Sequence, residues 1–294
     1  MSSVPLILET AGLKDYALLD CGHGRKLERF GALTLDRPEE QAIWVPGLDA
    51  ALWERADAIF TGDMDEEGAG RWKRRPGVPD VWVCRHQEIR FECRFTSFRH
   101  VGAFPEQEAH WAFMRERLQA AGAAAGAGPS LLNLFGYTGL ASLIAAEAGA
   151  EVTHVDASKK AIAWARDNQA LSGLKDRPIR WILDDAQKFA AREVRRGKRY
   201  DGILLDPPKY GRGPKGEIWD LFQSLPEMLR LCRDILKPTG FLILTAYAIR
   251  ASFLSIYRLC EEIFGPGVQS GELALKEQGG GLLATSLFSR WSGA

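Results

Sequence analysis

Hydrophobic and polar positions follow two regimes along this chain. From residue 130 onward, short apolar runs alternate with longer segments of helical spacing. SLLNLF, AEVTHVD, IRWILD, YDGILLD and GFLILTA read as strands. LASLIAAEAGA, KKAIAWARDNQALSG, AQKFAAREVRRG and LFQSLPEMLRLCRDIL read as the helices between them, and ASFLSIYRLCEEIFG follows the last strand as another. Apolar strands alternating with helices specify a parallel sheet covered on both faces. SGELALKE and LLATSLFSRW, joined by a Gly-rich turn, predict a closing antiparallel hairpin at one edge.

Ahead of this the pattern is shorter-ranged. YALLD, AIWVP, VWVCR and EIRFECRFTSF are β-branched and aromatic runs broken by Gly, Pro and charge, and predict strands. LDAALWERADAIF carries Leu48, Leu52, Ala56 and Ile59 at helical spacing. TGDMDEEGAGRWKRRPGVP predicts an exposed loop. EQEAHWAFMRERLQAAG predicts a helix that opens near Pro105, where a first-turn proline is tolerated. AAGAAAGAGPS ends it as a connector. Its glycines follow no strand and precede no GK[ST], which argues against a phosphate loop. The expected organisation is a small β-rich α+β domain over 1–105 and an α/β domain over 106–294.

Composition narrows the setting. The chain has 294 residues, 46% hydrophobic, which is enough for one large or two modest cores. Formal net charge is zero, so no global attraction to nucleic acid or anionic membrane follows. Residues 1–110 hold 14 Lys+Arg against 19 Asp+Glu and the remainder 24 against 19, so the front leans acidic and the back basic. Cys21, Cys84, Cys93, Cys232 and Cys260 form no CxxC pair, and no His/Cys cluster suggests a metal. MSSVPLILETAG lacks a basic n-region, and no run approaches the ~20 apolar residues of a membrane span. The expectation is a reducing, cytoplasmic, soluble protein.

In an open α/β sheet, ligands bind beyond the carboxyl ends of the strands. After the first strand comes FGYTG, Phe135 to Gly139, a turn able to approach a ligand and to aim helix N–H groups at it. It is not GxGxxG, which disfavours a nicotinamide oxidoreductase. After the second strand comes Asp156, able to accept both hydroxyls of a ribose or, like Ser158, to cap the next helix. Asp184, Asp185 and Ala186 follow the third. Either acid could accept from an adenine amino group or cap the helix, and Asp185 is preferred. After the fourth strand comes Asp206-Pro207-Pro208-Lys209-Tyr210. The prolines make a stiff extended edge that presents the acid and nearby carbonyls as acceptors, with Tyr210 able to stack and Lys209 and Arg212 able to meet phosphate.

With NLFGYTG, VDAS, DDA, LDPPKY and LKPTGFLILTA in this order, residues 130–291 resemble a class I S-adenosylmethionine (SAM)-dependent methyltransferase. More narrowly, they resemble the ribosomal-RNA large-subunit methyltransferase family, with its N-L-F-x-Y-T-G and D-P-P-K-F-like motifs. The resemblance implies a Rossmann-like seven-stranded sheet with the closing hairpin. It also implies that Phe135, Gly136, Tyr137, Thr138 and Gly139 lie at the methionine part of SAM. Asp156, flanked by Ala157 and Ser158, binds the ribose, and Asp185 with Ala186 reads the adenine. Asp206 to Tyr210 face the methyl acceptor, with Asp206 also near the cofactor. Upstream, HVGAFPEQ resembles a T-G-x-x-x-D-Q segment that implies a cofactor role for Gln107, although Val101 and Glu106 depart from it.

Family members that methylate cytosine at C5 use a cysteine in a T-x-S-C-like segment after strand five. Here that segment is LTAYAIRAS, with Tyr247 and Arg250 but no cysteine. Cys232 and Cys260 fall in predicted helices among apolar neighbours and read as core. The resemblance therefore implies methylation of a nucleobase nitrogen in ribosomal RNA. A small-molecule or protein methyltransferase and a noncatalytic adaptor of the same fold are the alternatives. Two basic clusters are candidates for phosphate contact: Arg192, Arg195, Arg196, Lys198 and Arg199, to be taken with Lys209, Arg212 and Lys215, and the loop residues Arg71, Lys73, Arg74 and Arg75.

Overall fold

A computed structural model describes residues 4–62, 70–125, 128–247 and 251–293. Arg250, part of the expected loop over 61–79 and part of the connector over 120–130 lie outside the described residues. The chain divides into two compact units, one of residues 1–7, 110–272 and 286–294, the other of 8–109 and 273–285.

The larger unit contains the expected alternation. Strands β9 (Ser130–Leu134), β10 (Glu151–Asp156), β11 (Ile179–Leu183), β12 (Tyr200–Leu205) and β15 (Leu236–Tyr247) are parallel neighbours. Helices α3 (Leu140–Glu147), α4 (Lys159–Leu171), α5 (Ala186–Arg195), α6 (Leu221–Ile235) and α7 (Phe253–Phe264) intervene or follow. Leu132, Leu134, Val155, Ile203, Leu205, Leu242 and Leu244 meet Phe189, Leu225, Met228 and Cys232 in one buried cluster. That burial is the driving force for the layer.

The hairpin strands are β16 (Gln269–Lys276) and β17 (Leu282–Ser292), and β17 runs antiparallel to β15. The sheet order is β1-β16-β17-β15-β12-β9-β10-β11, which corrects two expectations. The sheet has eight strands rather than seven, and β1 (Leu6–Thr10), not the hairpin, forms that edge. Gly271 explains the close approach: a Cβ there would lie 2.5 Å from the Leu6 amide nitrogen. A further pair, β13 (Tyr210–Arg212) with β14 (Ile218–Asp220), was not anticipated.

The smaller unit departs further from its sequence pattern. Its sheet runs β2 (Tyr16–Gly22), β3 (Arg25–Phe30), β4 (Leu33–Pro38), β5 (Ala58–Gly62), β6 (Gly70–Arg74), beside a hairpin of β7 (Val81–His86) and β8 (Ile89–Arg94). The helix expected over 48–60 is only the single turn α1 (Ala50–Trp53), and Ile59 lies in a strand. Leu48 and Leu52 face solvent at 39% and 43% exposure, so no apolar helical face is buried. AIWVP is a loop with Ile43 and Val45 exposed. Asp20 shapes this stretch by accepting from the Gly47 and Leu48 amides at 2.9 Å and the Trp53 indole at 2.8 Å. Gly70–Arg74, expected in a loop, pairs with β5 because Trp72 packs on Phe60 and Phe95. The helix expected after Pro105 is a 3-10 turn (Pro105–Gln107) continuing as α2 (Glu108–Ala125).

Candidate functional site

Strand order makes β9 the pivot: the chain proceeds outward through β10 and β11, then returns to β12 on the other side. The crevice at such a reversal is where an α/β sheet binds its ligand. Leu134 ends β9 opposite Leu205 at the end of β12 and Val155 near the end of β10. The turns that follow these three strands therefore converge.

The turn after β9 holds Phe135 and Tyr137 in the left-handed region, with φ of 59° and 50°. Gly139, at φ 81°, caps α3. The Gly136 amide donates to the Val155 carbonyl at 3.1 Å and its carbonyl accepts from the Gly139 amide at 3.1 Å, closing the turn. Asp156 joins this turn to the next: it accepts from the Tyr137 amide at 2.9 Å and the Ser158 amide at 2.7 Å. Burial raises its carboxyl above the usual value, against the pull of those two amides. Ser158 caps α4 by accepting from the Ala161 amide. Asp156 and Ser158 therefore do hold the local helix start, the role the sequence left open.

The geometry separates Asp184 from Asp185. Asp184 is ion-paired with Arg192 and accepts the Asp185 amide at 2.9 Å. Asp185 caps α5 through one oxygen, accepting from the Lys188 amide at 2.8 Å. Ala186, the first residue of α5, is buried.

Asp206 donates its amide to the Leu134 carbonyl at 3.3 Å, which sets it beside the glycine turn. The carbonyls that follow are not equivalent. The Pro208 carbonyl accepts from the Trp219 indole at 2.8 Å, and the Lys209 carbonyl from the Leu221 amide at 3.0 Å. One lone pair of the Pro208 carbonyl is therefore already used within the chain. Trp219 also packs on Phe135, ring centroids 4.9 Å apart, linking the β13–β14 hairpin to the glycine turn. Tyr210 is 42% exposed.

Other groups escaped the sequence reading. His154 lies fully buried in β10 beneath the glycine turn; its Nδ1 is 2.9 Å from Ser142 Oγ, which accepts from Asn133 Nδ2 at 2.9 Å. Burial pushes the His154 imidazole down to about 3, so it is neutral. A Cβ on Gly136 would lie 2.5 Å from His154 Nδ1. That glycine is therefore demanded from below, by the imidazole, and not only by a ligand above. The signal was a polar residue inside each of two apolar strands, Asn133 and His154.

Gln107 sits in the 3-10 turn of the smaller unit and is buried. The structure thus brings together Phe135–Gly139, Asp156–Ser158, Asp185–Ala186 and Asp206–Tyr210 within one unit and places Gln107 in the other. Tyr247 ends β15, half-buried. Cys232 and Cys260 are buried in the core; burial pushes the Cys232 thiol far up and the Cys260 thiol up to about 11. In the basic clusters, Arg192 and Arg196 pair with Asp184 and Glu193, and Arg74 pairs with Asp80. Arg75 donates to the Ala56 and Glu54 carbonyls.

No family model matches the chain. The crystal structure of a SAM-dependent methyltransferase from Agrobacterium tumefaciens is 51% identical, with a TM-score of 0.93 over 99% of this chain and 94% of that one. The chain belongs to the SAM-dependent methyltransferases. SMU.776 complexed with SAH shares the fold of this methyltransferase at 18% identity and a TM-score of 0.66, over 91% of this chain and 71% of that one. Ribosomal RNA large subunit methyltransferase K/L of Shewanella frigidimarina is 30% identical over 215 residues, 72% of this chain and 28% of that protein. Ribosomal RNA large subunit methyltransferase I of Shewanella denitrificans is 36% identical over 117 residues, 40% of this chain and 29% of that protein. The methyltransferase spans only about a quarter of the length of such curated relatives. Its cofactor is SAM, and the donor set fits that group. A carboxylate at the end of β10 is oriented by two amides, a second carboxylate after β11 uses one oxygen for its cap, and a left-handed turn follows β9 on the other side of β10. Among the described residues no helix is long and apolar enough to cross a membrane.

Proposed function

We propose that this protein transfers the methyl group of SAM to a nitrogen of a ribosomal-RNA nucleobase. The observation that carries the nitrogen assignment is the ordering of acceptors after β12. With the Pro208 and Lys209 carbonyls engaged, the Asp206 carboxylate and the Pro207 carbonyl are the acceptors we assign to an amino group. SAM supplies an electrophilic methyl on a sulfonium. Charge disperses during its in-line displacement, so the protein's task is to align the reactants and exclude water. Asp206 and Pro207 hold the amino hydrogens and so aim the nitrogen lone pair. Pro207-Pro208 keeps that edge stiff, and Tyr210 stacks on the flat acceptor, which must be unpaired or flipped to enter.

On the cofactor side, Phe135 to Gly139 cradle the methionine part, and Asp156 with Ala157 and Ser158 takes the ribose hydroxyls. Asp185 with Ala186 takes the adenine amino group. The burial of Cys232 and Cys260 supports nitrogen over cytosine C5, since a thiol nucleophile must be reachable and ionisable. Ribosomal RNA as substrate, and with it a cytoplasmic site of action, is supported by the names of the relatives. We assign substrate selection to the smaller unit, residues 8–109 with 273–285.

The test uses radiolabelled SAM, the purified protein and ribosomal subunits from cells lacking the gene. Label on a base nitrogen in nucleoside analysis is the expected result. Label on carbon 5 would overturn the nitrogen assignment, and label only in protein or small molecules would replace the substrate.

A further inference from the structure

We infer that the β13–β14 hairpin is a platform for single-stranded RNA beside the acceptor base. This rests on the ribosomal-RNA reading. The pairing register fixes which side chains share a face: Tyr210 lies opposite Asp220 and Arg212 opposite Ile218, while Gly211 and Trp219 occupy the other face. Trp219 is buried against Phe135, so its face looks inward. The opposite face therefore looks outward. It carries Tyr210 and Ile218 at 42% and 64% exposure, and Phe222, at the start of α6, adds a ring at 56%. Ile218 and Phe222, exposed apolar side chains in the chain just beyond the acceptor acid, are not explained by packing within this unit.

Charge names the occupant. Between residues 209 and 220 the cations Lys209, Arg212 and Lys215 are exposed, and no acidic partner to them occurs among the described residues. Both acids of the hairpin are otherwise engaged. Glu217 pairs with Lys188 at 2.7 Å, which holds its carboxyl down to about 2, and Asp220 caps α6 through the Gln223 amide. Aromatic faces interleaved with unmatched cations fit the stacked bases and phosphates of a single strand. A duplex offers no exposed base faces.

The hairpin is also held firmly. The Glu217 carboxylate accepts the Lys215 amide at 2.8 Å, and its carbonyl accepts the Gly213 amide at 2.9 Å. At the other end Trp219 is tied to Pro208. A platform fixed before binding loses little freedom when a strand docks on it.

The experiment titrates the full chain, saturated with SAH, into labelled mixed-sequence RNA of about 12 nucleotides, single-stranded or duplex. Single-stranded RNA should bind more tightly. Phe222→Ala should weaken it roughly 5- to 100-fold, while Phe222→Trp should retain it. Arg212→Ala and Lys215→Ala should each lower the salt dependence by roughly 0.7 in slope. Circular dichroism and SAH affinity, both expected to be unchanged, verify folding. RNA binding that ignores all these substitutions, or duplex binding as tight as single-strand binding, would overturn the platform and leave the ribosomal-RNA reading standing. No RNA binding by the native protein, with methyl transfer to another class of substrate, would overturn both.

Discussion

Asp156 in the larger unit and Asp20 in the smaller one do the same local work with opposite visibility. Each is a carboxylate that orders a turn by accepting backbone amides. Asp156 takes the Tyr137 and Ser158 amides. Asp20 takes those of Cys21, Gly47 and Leu48 and adds the Trp53 indole. Asp156 sits where every strand of a doubly wound sheet delivers its next turn, so its place is set by a repeating pattern. Asp20 reaches partners 27 to 33 residues downstream across a sheet with no such repeat. Both carboxylates are held by backbone amides at 2.7–3.0 Å, but only topology that recurs can be read ahead of time.

The sharpest way to break this contrast is to ask whether the recurring unit really concentrates the chemistry. Asp206→Ala should reduce methyl transfer by on the order of 10²- to 10⁴-fold, the range for a positioned acid–base group, while SAM affinity measured by calorimetry stays near native. Transfer within a few-fold of native would remove Asp206 from the acceptor site. The matching perturbation of the smaller unit acts on stability instead. There Glu28 is fully buried; burial pushes its carboxyl up, but the charges of Arg37 and Lys26 and the hydrogen bonds from Arg37 and Tyr16 bring it below the usual value. Arg37→Met strands that charge and should cost about 3–5 kcal/mol in urea unfolding. A loss below about 1 kcal/mol would show that Tyr16, whose hydroxyl donates to Glu28 at 2.8 Å, already suffices.

Legibility follows the same divide. Apart from β13 and β14, the strands and helices from Ser130 to Ser292 were readable because apolar periodicity changes from strand to helix at each turn, and the turn residues Phe135–Gly139, Asp156, Asp185 and Asp206 mark the strand ends. Trp219 was not readable. Its hairpin lies in KYGRGPKGEIWD, where two three-residue strands show no periodicity, and its contacts to Pro208 and Phe135 are long-range. In the smaller unit, β3 and β4 carry Arg25, Lys26, Glu28, Arg29, Asp36 and Arg37, which read as surface. Glu28 and Arg37 are in fact buried as a pair. Leu48 and Leu52 mimic a helix face because exposed apolar residues carry no label of their exposure.

Gly136 sharpens the contrast from inside the readable unit. Gly136→Ala drives a methyl onto the His154 ring and should weaken SAM binding by at least about 10-fold, as the turn over it is displaced. Adding His154→Ala should recover part of that loss, a coupling expected only for groups in contact. If the double variant binds no better than Gly136→Ala alone, the glycine is required by the cofactor and not by the imidazole.

The smallest effect concerns protons on His154. Its folded-state value of about 3 lies below the ordinary 6.5, because burial disfavours the imidazolium. Above pH 6.5 both folded and unfolded chains leave it neutral, and it adds no pH dependence. Between 6.5 and 3 the unfolded chain takes up a proton that the folded chain refuses, so stability falls as pH falls, by at most about 1.4 kcal/mol per pH unit for this one group. His110, also depressed by burial and by Arg290, contributes in the same direction, so the native slope alone does not isolate His154. His154→Asn does: its side chain can still accept from Ser142 but does not titrate. Urea midpoints from pH 7 to 5 should fall less steeply in His154→Asn than in the native protein. Parallel slopes would mean that His154 protonates within the folded chain, and with it that the polar layer beneath the glycine turn admits water.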